Sequence, residues 1–145
     1  MLRSPSFVLF NINGLKSSIT ELKTYIFSFY PVCISLCESH LKPSQTAKIP
    51  KYQIFRKDRI GERKGGLMVL IRQDIRCDLL ALKPYNGGQL ECMAVRLFFQ
   101  NSLVDLLLIY NPCKNISCNV FHMCPGASHM TCNLFLFSFA IEKES

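Results

Sequence analysis

The amino-terminal stretch alternates strand, turn, helix and strand, and this order constrains the fold more than any other feature of the sequence. Residues Ser6–Ile12 predict a strand that runs into the turn signal Asn13-Gly14. The capping-box spacing of Ser18 and Glu21, with apolar residues three and four apart, predicts an amphipathic helix from about Ile19 to about Phe29. Pro31 blocks its continuation, and a second strand begins directly after it. Strands joined by a helical crossover pair in parallel, so an α/β fold is expected.

The second strand carries a carboxylate at its carboxyl end. The stretch Val32–Leu41 begins with an apolar run that predicts a buried strand. Glu38 lies just past the end of this strand, and His40 follows two residues later. Open sheets place ligand and metal groups at this position, because the strand fixes the backbone while the loop frees the side chain. Parallel pairing would bring Asn11 and Asn13 beside Glu38. The ordinary alternatives, a solvated glutamate and turn-forming asparagines, remain open.

The middle of the chain predicts further strands. Tyr52–Lys57 and the continuous apolar run Leu67–Arg72 are typical of strands, and Leu90–Phe99 with Leu103–Tyr110 predict an antiparallel hairpin. Tyr110 ends the last of these strands, just before an Asn-Pro pair. Its hydroxyl either faces a cleft as a donor or belongs to a core tyrosine, which is the commoner case.

The charge is positive and uneven. The net charge of +7 favours anionic partners such as nucleic acid. Residues 1–112 hold fifteen Lys/Arg against eight Asp/Glu, whereas residues 113–145 hold two of each. A glycine-bearing loop concentrates cations that could lie along phosphates, although a solvated charged hairpin explains it equally well. The candidate nucleic-acid-binding residues in this loop are Arg56, Lys57, Arg59, Arg63 and Lys64.

Composition excludes several classes of protein. With 145 residues, 49% of them hydrophobic, the chain suffices for one domain or part of one. No apolar run is long enough for a secretory signal or a membrane span, so an intracellular setting without a membrane partner is expected. Cysteines and histidines between Cys113 and Cys132 invite a zinc interpretation. It is weak, because the chain has no C-x-x-C pair and the spacings fit no common structural-zinc pattern.

Four blocks, taken in order, carry a family resemblance: Asn11–Leu15, Cys37–Leu41, Gly65-Gly66 opening an apolar strand, and Ile109–Pro112. Together they resemble the endonuclease domain of non-LTR (LINE-type, jockey/CR-like) retrotransposons. That domain belongs to the apurinic-endonuclease-like branch of the exonuclease–endonuclease–phosphatase superfamily. Four ordered blocks are far more specific than any one of them. The resemblance covers roughly residues 6–112, which correspond to the N-terminal half of such a domain.

The resemblance implies a fold and an activity. The fold would be a two-sheet α/β sandwich of the deoxyribonuclease-like type, here incomplete, with the active site at one end of the sheets. Glu38 would be a ligand of catalytic Mg²⁺ with Asn13 near the metal, Asn11 would orient the ligands and the phosphate, and Tyr110 would bind the scissile phosphate. The partner would be nuclear DNA, nicked to prime reverse transcription, and no small-molecule cofactor is implied.

The chain also departs from the family pattern. Cys37 stands where Gln is usual and Ser39 where Thr is usual. The later G-D-F-N and S-D-H motifs, which supply a water-activating Asp, a phosphate-binding Asn and a general-base pair, do not occur, and no Asp follows Asp105. Without a base for the attacking water, we expect this chain not to cut DNA at a useful rate.

The last part of the sequence loses the family pattern. Residues 113–145 gather Cys, Met and Phe, and we expect an unrelated or frameshifted, disordered tail. The remaining half-domain would leave one sheet with an uncovered apolar inner face. Three interpretations stay open: an inactive endonuclease remnant, a non-catalytic nucleic-acid-binding fragment, and a relic without function.

Overall fold

The computed structural model describes residues 6–61, 64–83 and 90–111, together with the backbone of residues 134–142. This part of the chain forms one helix and eight strands arranged as two sheets, so the fold is mixed α/β. In chain order the elements are β1 (Phe7–Asn11), α1 (Leu15–Phe29), β2 (Cys33–Cys37), β3 (Tyr52–Lys57), β4 (Leu67–Arg72), β5 (Arg76–Leu80), β6 (Glu91–Phe98), β7 (Ser102–Tyr110) and β8 (Leu134–Glu142).

The first sheet has the strand order β1-β2-β4-β3. β1 and β2 run parallel, as predicted, and the other neighbours are antiparallel. β2 and β4 are the central strands, and nearly all of their residues are buried, which explains why both read as continuous apolar runs. The parallel register pairs Asn11 with Cys37, so both strands end at the same edge of the sheet.

Helix α1 covers the outer face of the first sheet. Leu15 and Leu22 of the helix are buried against Ile34 of β2 and Leu70 of β4. The helix begins at Leu15, earlier than the predicted start at Ile19. The predicted capping box does not form, because the Ser18 hydroxyl donates to the carbonyl oxygen of residue 12 and the chain enters the helix through a glycine instead.

The second sheet has the strand order β5-β6-β7-β8, with antiparallel neighbours throughout. The predicted hairpin is present as β6 and β7. The sequence pattern did not reveal β5, an edge strand whose residues are mostly exposed and which has no run of buried positions. Within the tail expected to be disordered, Leu134–Glu142 pairs with β7 as β8. Residues 112–133 and 143–145 lie outside the described residues.

The two sheets pack face to face around one core. Apolar side chains of β2 and β4, such as Val69, contact side chains of β6 and β7, such as Val95 and Leu108. The first sheet therefore lies between α1 and the second sheet. The expected uncovered inner face is not present, because β5 to β7 fold back over it. Among the described residues, no helix is long and apolar enough to cross a membrane.

Candidate active site

Both sheets contribute to a polar cluster at the edge where β1 and β2 end. Asn11 is the last residue of β1, and Glu38 follows directly after β2 on the neighbouring strand. Tyr110 ends β7 in the opposite sheet, and its hydroxyl donates a hydrogen bond to Oε1 of Glu38. The structure thus brings the three predicted catalytic residues to one edge, with Glu38 and Tyr110 in direct contact.

The backbone around Glu38 adopts conformations that side-chain-bearing residues rarely take. Asn13, Glu38 and His40 have φ angles of +46°, +54° and +55°. Specific hydrogen bonds hold this geometry: the N–H of Gly14 donates to the Glu38 carbonyl at 2.8 Å, and the N–H of Asn13 donates to Oδ1 of Asn11 at 3.1 Å. Backbone strain of this kind costs free energy and is concentrated at functional sites.

The site favours the neutral form of its phenol and thiol groups. Burial and the adjacent Glu38 carboxylate raise the pKa of Tyr110 above its usual value. Tyr110 therefore remains a hydrogen-bond donor at neutral pH. Burial, followed by the nearby Glu38 and Glu91 carboxylates, raises the pKa of Cys37 to about 12. This thiol is consequently a poor nucleophile and a poor metal ligand.

A metal at this edge would depend on few protein ligands. Glu38 supplies a half-buried carboxylate, and the amide of Asn13 lies on the loop beside it. These are oxygen donors, the class that Mg²⁺ prefers, and Mg²⁺ commonly keeps several waters. Within the described ranges, no group of three or more His, Cys, Asp or Glu side chains lies close enough to hold a metal ion.

Glu91 belongs to the same end of the molecule, although the sequence pattern gave it no role. It opens β6 directly opposite Tyr110. Its carboxylate accepts the N–H of Gly66 at 3.0 Å and pairs with Nε of Arg59 at 2.9 Å. Burial raises the pKa of Glu91, and Arg59 opposes the shift. The period-two alternation of β6, with Met93 facing the core, would have placed this carboxylate inside.

Arg56, the first of the predicted nucleic-acid-binding residues, is bound within the fold. Its guanidinium donates to both carboxylate oxygens of Asp58 and to the backbone carbonyls of Lys42 and Gln45, at 2.6 to 3.1 Å. These contacts hold the loop after β2 against β3. The structure therefore gives Arg56 a role in ordering the loop.

The other loop cations differ in their surroundings. Lys57 donates to a backbone carbonyl of β6 at 3.3 Å, and Arg59 is paired with Glu91. Lys64 is exposed, and Arg63 lies outside the described residues. Three of the five predicted cations thus make contacts inside the fold.

Comparison with models of known protein families, and with curated proteins, gives no match for this chain.

Proposed function

We propose that this chain is the N-terminal half of a magnesium-dependent DNA endonuclease of the LINE-type retrotransposon kind. Its two sheets would form part of a deoxyribonuclease-like sandwich. The observation that carries the proposal is the hydrogen bond from Tyr110 to Glu38, which joins residues 72 positions apart and from different sheets. The ordered sequence blocks that resemble the family meet at one edge, as an active site requires.

Magnesium fits the chemistry of the available donors. Glu38 would hold the ion, with Asn13 close by and water completing the shell. When bound, Mg²⁺ would neutralise charge that develops on the phosphoryl oxygens during hydrolysis. The single carboxylate in contact with Tyr110 makes the described site a weak metal site by itself, so DNA phosphate would be needed as a further ligand.

The protein side chains would position the substrate. Tyr110 reaches Glu38 as a neutral donor, and since a phenol carries one proton, its hydroxyl would donate to a bound phosphate oxygen only in exchange for this bond. Asn11 is exposed at the end of β1, with its Oδ1 oriented by the N–H of Asn13. These groups orient a phosphodiester and hold its charge, but none of them removes a proton from the attacking water.

These 145 residues would therefore bind DNA without cutting it. The sequence contains neither the G-D-F-N nor the S-D-H motif that supplies the base and the remaining ligands. The net charge of +7 favours the polyanionic partner, which would place a functional chain in the nucleus. A purely structural DNA-binding role is the second candidate. It predicts DNA binding that is sensitive to salt and indifferent to Glu38.

Calorimetric titration of the chain with Mg²⁺ and Mn²⁺, in the presence of a short DNA duplex and compared with the same duplex alone, tests the proposed site. We expect Glu38→Gln to weaken binding by at least about tenfold, because it removes the charged ligand. Asp74→Asn is the matched control. Asp74 is a carboxylate bonded to Arg72 at the other end of the first sheet, and its loss should leave the titration unchanged. No metal binding beyond that of the duplex alone, or equal binding by Glu38→Gln, would contradict the proposal.

A further inference from the structure

A chain of hydrogen bonds leads from Glu91 to the residue that follows Glu38. The Glu91 carboxylate accepts the N–H of Gly66 at 3.0 Å. The carbonyl of Gly66 accepts the N–H of Ser39 at 3.2 Å, and Ser39 is the next residue after Glu38. Through its N–H and its carbonyl, Gly66 thus links the Glu91 carboxylate to the strained backbone that carries Glu38.

The turn that makes this link is closely surrounded. A Cβ atom on Gly65 would lie 2.6 Å from Oε1 of Glu91 and 2.8 Å from Nε of Arg59. A Cβ atom on Gly66 would lie 2.5 Å from the hydroxyl oxygen of Ser39, which is itself buried. The Glu91 side chain therefore touches the turn directly. If the carboxylate moved away, the turn would lose the atoms that now pack against it.

The second sheet provides another connection between Glu91 and Glu38. Glu91 lies directly opposite Tyr110 in the antiparallel register, and opposed residues project from the same face of a sheet. Tyr110 in turn donates to Glu38. We propose that Glu91 is a positioning residue that sets the geometry of the Glu38–Tyr110 pair through the Gly65-Gly66 turn. This inference rests on the proposed function only in treating the pair as part of a phosphate-binding site.

The length of the Glu91 side chain, more than its charge, positions the turn. The Gly66 N–H needs an acceptor oxygen at the right distance, and a glutamine keeps that acceptor while its NH2 group replaces the oxygen paired with Arg59. An aspartate keeps the charge but is one methylene shorter, so its oxygens withdraw from Gly66. A purely electrostatic influence of Glu91 on Tyr110 would rank the two substitutions in the opposite order.

The experiment measures the Tyr110 hydroxyl in protein carrying ¹³C-labelled tyrosine. NMR gives the exchange rate of its hydroxyl proton and the ¹³Cζ chemical shift, assigned with Tyr110→Phe. We expect exchange at least about tenfold faster in Glu91→Asp, as loss of one hydrogen bond allows, and a smaller acceleration in Glu91→Gln, which keeps the acceptor for Gly66 but loses the ion pair with Arg59. The readout needs neither metal nor DNA, so it stands apart from failure of the proposed function.

Asp105→Asn controls for general loss of an ion pair. Asp105 pairs with Arg96 at 2.7 Å on the same two strands, but the pair lies on the outer face of the sheet. It should leave Tyr110 exchange at the wild-type rate. Wild-type exchange in Glu91→Asp would overturn the proposal. So would a larger effect of Glu91→Gln than of Glu91→Asp, or an equal effect of Asp105→Asn.

Discussion

At the scale of single residues, the position of Glu38 requires a strained backbone. Its φ angle of +54° lies in the left-handed region, where a glutamate is costly by about 1–3 kcal/mol. The Gly14 N–H and the Tyr110 hydroxyl both bind Glu38 in this conformation. The contacts therefore offset a conformation that places the carboxylate at the sheet edge.

Replacement of Tyr110 by Phe tests the contact between the sheets. It keeps the buried ring and removes the donor to Glu38. We expect the free energy of unfolding, measured in urea, to fall by about 1–2 kcal/mol, since a bond to a partly solvated carboxylate is lost. We also expect the affinity for Mg²⁺ to fall, because the Glu38 carboxylate loses its orientation.

Tyr52→Phe is the control for this change. The Tyr52 hydroxyl donates to the Pro31 carbonyl at 2.6 Å, before the amino end of β2 and away from Glu38. This variant should lose about 1 kcal/mol of stability and leave metal titration unchanged. An equal effect of both substitutions on metal titration would argue against a specific role of Tyr110.

Residue patterns in the sequence predicted the positions of Asn11, Glu38 and Tyr110, because each lies at or just after the end of a strand and strand ends can be read locally. They could not predict the partners of Glu91. The Gly66 N–H and the Arg59 guanidinium lie 25 or more positions away in the chain, and only the packing of two sheets brings them together. The contacts of Arg56 escaped prediction for the same reason, since carbonyls of a distant loop accept its hydrogen bonds.

At the scale of elements, the Gly65-Gly66 turn joins the basic loop to β4. Both glycines have φ angles of +96°, which favour glycine. Gly66→Ala adds steric conflict to this strain, because its Cβ would lie 2.5 Å from the Ser39 hydroxyl oxygen. We expect a loss of about 2–3 kcal/mol in urea unfolding.

Gly61→Ala provides the matched comparison. Gly61 has a φ angle of +83°, and apart from its chain neighbours no atom of the described residues lies within 4 Å of the added Cβ. Only the backbone strain remains, so the loss should be about 1 kcal/mol. If Gly61→Ala costs as much as Gly66→Ala, crowding by Ser39 is not what fixes the turn.

Element prediction succeeded for strands that bury apolar residues and failed for β5, whose residues are mostly exposed. The buried strands β2 and β4 have mostly apolar sequences, and β6 and β7 are two largely apolar segments on either side of a short turn. β5 escaped because an edge strand with mostly exposed residues has no such pattern. The start of α1 was misplaced because burial of Leu15 and the glycine before it, rather than a side-chain cap, begin the helix.

At the scale of the whole molecule, the packed sheets bury thiols that would otherwise ionise. Burial raises the pKa of Cys33 and of Cys37 from 9.0 to about 12. A raised pKa in the folded state means that the unfolded chain loses these protons first. Stability should therefore be complete below about pH 9 and decline as the pH rises toward about 12.

Urea unfolding between pH 8 and pH 11 at intervals, under reducing conditions, measures this decline. The double substitution Cys33→Ala, Cys37→Ala should flatten the curve, although Tyr52, whose pKa burial raises to about 12, adds a decline of the same sign. Burial also raises the pKa of the half-exposed Cys92 thiol, so Cys92→Ala should flatten the curve as well, but less than the double substitution does. An unchanged slope in the double variant would show that these thiols are not buried as described.

The most direct test of the proposed half-site is the nicking of supercoiled plasmid by the 145-residue chain in Mg²⁺, beside Glu38→Gln and an EDTA control. We expect no nicking above the level of Glu38→Gln, because the chain holds the Glu38–Tyr110 pair but no base for the attacking water. Nicking that requires both Mg²⁺ and Glu38 would contradict this expectation and show that these residues complete an active site.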